Sequence, residues 1–360
     1  MSGAKDANDL ARELGADGLR ALIDEALAAE APAPEVKTNG GAKPPPPLPW
    51  VDMSKWDDEP APEQAWAVLN RIPLRQVVLF TGEGAAGKST VELHRSAAHV
   101  LGRDWLGSLP EIGPAIFVDA EDEEAVIHRR LAAIAKYYGV TFAEMIRGGL
   151  HIMSLLGRDA VLATVGRNGK LEATALYKQI VEAAGDIKPK SITIASCANV
   201  FAGNEIDRGQ VQQFISLLTH VAIIANGSVS LISHPSMAGI SNGSGFSGST
   251  QWHNAVRARV YMTSPKAQPD EQPDTDLREI IFKKNQYGPK AETIALRYRD
   301  GMFLPVPGVG TLDRLAAEQK AEEMFLRLVQ RFNDQNIRIS GSPTSNNGAP
   351  KIFAAEPEAK

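Results

Sequence analysis

The residues Gly82-Glu83-Gly84-Ala85-Ala86-Gly87-Lys88-Ser89-Thr90 constrain this chain most, because they spell G-x-x-x-x-G-K-[ST] directly after the apolar run Val77-Val78-Leu79-Phe80. Such a loop needs glycines so that backbone N–H groups can approach phosphate oxygens. It needs Lys88 to neutralise β- and γ-phosphate charge, and the Ser89 hydroxyl to hold Mg²⁺. A β-run before the loop and a helical stretch after it, to Leu101, separate a phosphate-binding loop from an ordinary glycine-rich turn. The first expectation is a strand–loop–helix unit that binds a nucleotide with its Mg²⁺.

Composition bounds what surrounds that unit. With 360 residues, 43% hydrophobic and 22% charged, the chain has material for one large domain plus appendages. A net charge of −5 excludes a surface coated in positive charge but leaves room for a local basic channel in an oligomer. The single cysteine, Cys197, lies in the apolar run 192–201 and reads as a small buried hydrophobe rather than a reactive thiol. One cysteine allows no disulfide framework within the chain, which suits the reducing cytoplasm. No apolar stretch is long enough to span a bilayer and the N-terminus lacks a secretory apolar core, so the reading is cytoplasmic, without a membrane partner.

Residues 1–30 carry helical periodicity through Leu10, Leu14, Leu19, Leu22, Ile23 and Leu27. Residues 31–55, with Lys43-Pro-Pro-Pro-Pro-Leu-Pro-Trp50, predict an extended, semi-rigid linker. In the body, 56–308, strand and helix patterns alternate: strands at 76–81, 115–119, 151–154, 191–195 and 228–233, helices at 88–101, 123–138, 174–184 and 207–226. That alternation predicts an α/β fold with a mostly parallel sheet covered on both faces. Further β-runs at 258–263, 278–283, 291–298 and 302–305 predict antiparallel C-terminal strands. Residues 309–338 read as a helical tail, and 339–360, rich in Ser, Pro, Asn and Gly, as poorly ordered.

Several residues carry chemistry in this frame. Glu121 follows the strand ending in Asp119, at the edge where open α/β sheets bind ligands, and is the candidate to polarise an attacking water. Glu123 and Glu124, which follow it, are read more simply as first-turn acids of the next helix, favoured by its dipole. His234 follows the strand 228–233 and is placed to sense a γ-phosphate; the plainer reading is a structural histidine. The Gly/Ser-rich loop 238–250 offers amides and hydroxyls at Gly239, Asn242, Ser244, Ser247 and Ser249 that could grip a phosphodiester backbone without reading bases, or simply connect two elements at the surface. Arg257 and Arg259 could meet phosphate in the same or a neighbouring subunit, or pair with surface acids. Lys283 and Lys284 end a β-run, where one could reach a neighbour's γ-phosphate and where plain solvated lysines are also common. No His/Cys cluster has zinc spacing, so Mg²⁺ carried with the nucleotide is the metal to expect.

In their order, GEGAAGKST, IFVDAEDEEAVIHRRLAAI, NVFAGNEIDRGQVQQFISLL, VSLISHPSMAG, GSTQWHNAVRARVYM and KKNQYGP resemble the RecA-like P-loop ATPases of the plasmid replication-helicase (RepA) type, which are hexameric, ring-forming DNA helicases. The resemblance spans roughly Trp56 to Pro289, and residues 1–30 look like the closing helices of a Toprim-type primase module. It implies a RecA-like core binding ATP and Mg²⁺ through Lys88, Ser89 and Thr90, with Glu121 as water activator and His234 as sensor. Arg257 falls in an arginine-finger region and Lys284 matches a lysine acting in trans. It further implies a homo-oligomeric ring, a hexamer, acting on single-stranded DNA as an ATP-dependent helicase or translocase in plasmid, phage or mobile-element replication, with a primase or replication initiator as candidate partner. The alternatives are a DNA-stimulated ATPase that loads or remodels partners, and a nucleotide-gated DNA-binding ring with weak hydrolysis. Two positions depart from the pattern: Ala195 stands where an aspartate should order a Mg²⁺-bound water, and Gln286 where arginine is common.

Overall fold

The computed structural model describes residues 7–28, 48–54, 56–241, 245, 250–265, 272, 274–289, 292–306, 325–326, 328–333, 335, 337 and 352–353. It divides into two units, 1–62 and 63–360. In the first, α1 (Ala7–Ala28) is two helical segments meeting at Gly15, whose φ of 70° and ψ of 174° break the helix. Most of the Pro-rich linker lies outside the described residues. The division falls after Pro62, six residues beyond the Trp56 start read from the sequence.

The second unit runs β1 (Trp66–Val68), β2 (Ile72–Pro73), β3 (Val77–Gly82), α2 (Lys88–Leu101), β4 (Ala115–Asp119), α3 (Glu124–Tyr138), α4 (Phe142–Arg147) and β5 (Leu150–Ser154). It continues through β6 (Ala163–Val165), β7 (Leu171–Ala173), α5 (Ala175–Ile187), β8 (Ser191–Ala195), α6 (Cys197–Val200), β9 (Phe201–Ala202), α7 (Arg208–Ala225) and β10 (Ser228–Ser233). It closes with α8 (Met237–Ser241), α9 (Gln251–Ala255), β11 (Ala258–Thr263), β12 (Leu277–Asn285), β13 (Thr293–Arg299) and β14 (Met302–Pro305).

Nine strands form one sheet in the order β14-β13-β12-β11-β3-β10-β8-β4-β5. From β11 to β5 the pairs are parallel, and β12, β13 and β14 add antiparallel, as the sequence predicts. Strands buried on both faces explain the near-continuous apolar runs. Alternation assigns the faces: Val77, Leu79, Ile116, Val118, Ile192, Ile194, Val229 and Leu231 pack with Val211, Phe214 and Leu218 of α7. On the opposite face Phe117 packs with Leu93 and Ala97 of α2 and with Ile127 and Ile134 of α3. Asp207 caps α7, its carboxylate accepting the N–H groups of Gly209 at 2.8 Å and Gln210 at 3.0 Å, and Asn226 ends it in the left-handed region.

Some elements differ from the sequence reading. A side sheet β7-β6-β9 and the short helix α4 had no separate prediction, because three-residue strands and a six-residue helix carry too little periodicity to register. Of the C-terminal tail, 325–326 and 328–333 are helical. Phe353, inside the stretch read as poorly ordered, packs on Leu328 and Phe332. No helix among the described residues is long and apolar enough to cross a membrane.

Candidate nucleotide-binding site

The phosphate loop leaves the C-terminal end of the central strand β3, and its conformation is built for close approach. Ala85 (φ 59°) and Gly87 (φ 103°) both lie in the left-handed region, which turns successive amides inward as an anion-binding concavity. Gly87 is also the N-cap of α2 and gives no side-chain cap, so the helix's first amides keep their donors for a ligand. A Cβ at Gly87 would clash with Phe303 Cε2, which adds to the strain of its φ of 103° and favours glycine there. Lys88 is buried, and its Nζ donates to the loop's own carbonyls, Gly82 O at 2.7 Å and Glu83 O at 2.8 Å. Burial pushes its pKa down to about 8, against the pull of Glu121 and Glu83. An ammonium desolvated in this way gains from any phosphate oxygen that reaches it.

A cavity of about 560 Å³ opens over this loop. Lys88, Ser89 and Thr90 line one wall, and Glu121 and His234 meet there from the ends of β4 and β10. His234 Nε2 lies 3.6 Å from Glu121 Oε1, longer than a hydrogen bond but close enough for charge interaction. His234, aided by Ser196 and Lys88, holds the Glu121 carboxyl below the usual carboxylate range. Glu121 therefore stays ionised, as an acceptor for a water must. Ser89, at the start of α2, offers the hydroxyl suited to Mg²⁺, and the inward amides, the desolvated ammonium and the ionised acid make a donor set that fits a nucleotide phosphate with its metal.

The far wall was not legible in the motifs. It comes from the antiparallel strands: Thr275, Asp276 and Arg278 at the start of β12, Tyr298 at the end of β13, and Phe303 in β14. The Tyr298 and Phe303 rings lie 5.0 Å apart and the Arg278 guanidinium lies over Phe303 at 5.8 Å, a surface able to stack against a planar base. The one sequence signal for it was Asp300-Gly301. Both residues have positive φ, a two-residue hairpin turn that sets Tyr298 opposite Phe303.

The remaining candidates do not converge here. Arg257 and Lys284 lie at the opposite edge of the sheet: Ala258 is level with Val78 and Arg259 with both Leu79 and Lys284, whereas Met262 is level with Gly82. Arg257 is five strand positions from the level of Gly82, about 17 Å, and Lys284 is three, about 10 Å. Arg257 Nη1 donates to Gln286 Oε1 at 2.9 Å, and Lys284 Nζ caps α9 through His253 O at 2.8 Å. Arg257 and Arg259 would share a face only if both lay in the strand, but β11 begins at Ala258 and leaves Arg257 exposed beside it. Gly239 lies in the short helix α8 rather than in an open loop; Asn242, Ser244, Ser247 and Ser249 lie outside the described residues. The far root of that loop is anchored by Trp252, whose Nε1 donates to Glu205 O at 3.2 Å and whose ring packs against Phe201 and Phe214. Cys197 is buried, and burial pushes its thiol well up, in keeping with an inert core residue.

A family profile described as an AAA domain matches residues 30–239, more than half of the chain. The chain belongs to this AAA domain family. Solved structures similar to it include a KaiC-like protein from the hyperthermophilic archaeon Pyrococcus horikoshii, 14% identical over 68% of this chain and 99% of that chain with a TM-score of 0.46. A RadB recombinase is 14% identical over 65% of this chain and 91% of that chain, with a TM-score of 0.42. The match takes in the phosphate loop and the parallel strands from β3 to β10. The family match ends at residue 239, so the aromatic wall from β12 to β14 lies beyond it.

Proposed function

We propose that the protein is an ATP-dependent, ring-forming helicase or translocase that moves single-stranded DNA during plasmid, phage or mobile-element replication. The observation that carries this reading is the placement of Arg257 and Lys284. They stand about 17 Å and about 10 Å along the strands from the level of the chain's own phosphate loop, which leaves them available to the phosphates of a neighbouring subunit. Cations that complete a site in trans make hydrolysis depend on a neighbouring subunit, as a ring motor requires. The order of the six motifs supports the helicase assignment, and the loop that follows His234 supports a link between the phosphate sensor and the polymer. When bound, Mg²⁺–ATP supplies the phosphoryl group and its charge. Lys88 and Ser89 hold it, Glu121 accepts a proton from the attacking water, and His234 positions Glu121.

A second reading has its own observation. Ala195 ends β8 level with Asp119 and contributes no carboxylate, which favours a nucleotide-gated DNA-binding ring with weak turnover. Steady-state ATP hydrolysis with and without single-stranded DNA, then unwinding of a forked duplex, tests both, with Lys88→Ala as the inactive control. The helicase reading expects DNA-stimulated hydrolysis and unwinding. Nucleotide binding without turnover would replace it with the gated ring, and turnover without unwinding with a DNA-stimulated loader.

A further inference from the structure

Asp119 has a part of its carboxylate without a use. The residue ends β4 with 0% exposure, and its Oδ1 accepts the N–H groups of Glu121 at 2.9 Å and Asp122 at 3.0 Å. Its Oδ2 is buried and has no hydrogen-bond partner among the described residues. A buried carboxylate oxygen left in that state is costly, and such an atom calls for an explanation.

The register supplies one. Asp119 pairs with Ala195 across β4 and β8, and side chains at paired positions of parallel strands share a face. That face is the one under α2. Phe117, two residues before Asp119, packs on Leu93 and Ala97 of α2, and Thr193, two before Ala195, donates to Glu92 of α2 at 3.0 Å. Asp119 and Ala195 are therefore neighbours on the face from which α2 presents Ser89 and Thr90. The groups around Asp119 do not consume the oxygen: Arg130 pairs with Asp122 at 2.6 Å, and Ser196 donates to Asn199 at 2.9 Å.

We propose that Asp119 supplies the carboxylate that orders a water of the nucleotide-bound Mg²⁺, one strand over from the acid missing at Ala195. The assignment rests on the nucleotide site described above. In it Oδ1 fixes the turn carrying Glu121, while Oδ2 accepts from the metal's water, so one side chain sets both the metal's hydration and the position of the water activator.

Asp119→Asn tests it in the full chain, because asparagine keeps the Oδ1 acceptor for the two amides and replaces the Oδ2 acceptor by an uncharged NH2 donor. The probes are a fluorescent ADP, titrated in Mg²⁺ and in EDTA, and Mn²⁺, whose binding to the protein–ADP complex is read by electron paramagnetic resonance. The expected result is a loss of about 10–100-fold in Mn²⁺ affinity, the usual effect of removing an outer-shell partner, with ADP affinity in EDTA unchanged. Adding Ala195→Asp to that variant should restore it. Wild-type Mn²⁺ affinity in Asp119→Asn would overturn the proposal while leaving the nucleotide site standing; failure of the wild-type chain to bind ADP in either condition would overturn the site itself. If Asp119→Asn does not fold, Ala195→Asp alone decides. It should leave Mn²⁺ affinity as it was, whereas a marked tightening would mean that the position is vacant and Asp119 idle.

Discussion

Arg95 and Glu92 lie on α2, directly behind the phosphate loop, and both are almost completely buried. Arg95 Nη2 bonds Glu92 Oε2 at 2.5 Å and Ser230 Oγ at 3.0 Å, Nη1 reaches Ser228 Oγ at 3.3 Å, and Glu92 Oε2 also accepts from Thr193 at 3.0 Å. This network ties α2 to β8 and β10. Replacing Arg95 by methionine removes one charge of a desolvated pair, with side-chain exposures of 0% and 2%, and strands the other. The cost of such a break is about 3–5 kcal/mol. On the scale of roughly 2–4 °C per kcal/mol for large domains, the melting temperature should fall by about 10 °C. Circular dichroism melts at pH 7 check it, together with the double variant Glu92→Leu/Arg95→Met. Because an apolar pair of similar volume replaces a buried ion pair at little cost, the double variant should be more stable than Arg95→Met alone. A double variant as unstable as the sum of the two singles would refute the reasoning, since the residues would then act independently.

Gly87→Ala combines a left-handed backbone with a methyl group directed into Phe303, so nucleotide binding should be lost and stability should fall by about 2 kcal/mol or more; wild-type ADP affinity would count against the loop geometry. His94 and His99 are buried, and burial lowers each to about 3, so the folded chain stays unprotonated at these sites while the unfolded chain takes up protons below pH 6.5. Their stabilising share is complete above pH 6.5 and is lost as pH falls towards 3, amounting by pH 5 to about 2 kcal/mol per histidine. Denaturant midpoints should therefore fall from pH 7 to pH 5, and His99→Gln should remove about half of that slope; a pH-independent midpoint would refute it.

What the sequence revealed followed the length and regularity of each signal. The loop 82–90 is local, its residues adjacent, and it was read in full; so were the long alternating elements from β3 to β10. Glu121 and His234 were legible because each follows a strand whose C-terminal end had been recognised, although only the parallel register brings them to 3.6 Å. The aromatic wall was not, because Tyr298 and Phe303 come to Gly87 through an antiparallel extension more than two hundred residues away, and no local pattern encodes that approach. The Arg95–Glu92 pair was hidden for a different reason. On a helix a charged pair three residues apart reads as a solvated face, and here that face turns inward because Ser228 and Ser230 on β10 and Thr193 on β8 offer it hydroxyls.

The two edges of the sheet also differ in how their charges are satisfied. At the phosphate-loop edge Lys88 has backbone carbonyls and nearby carboxylates, and Glu121 has His234. At the other edge Arg257 bonds a neutral amide and Lys284 bonds carbonyls, and neither has an ion pair among the described residues. Burial, with Arg257 and Arg259 close by, holds the Lys284 ammonium below its ordinary range. That repulsion is a standing cost in the isolated chain. In the proposed ring the triphosphate of an adjacent subunit would relieve it, and whatever relieves a cost only in the assembled state favours assembly by the same free energy. Nucleotide binding and ring formation are then linked: ATP should lower the protein concentration at which the chain assembles, and neutralising Lys284 should weaken that dependence while leaving the chain's own phosphate loop intact.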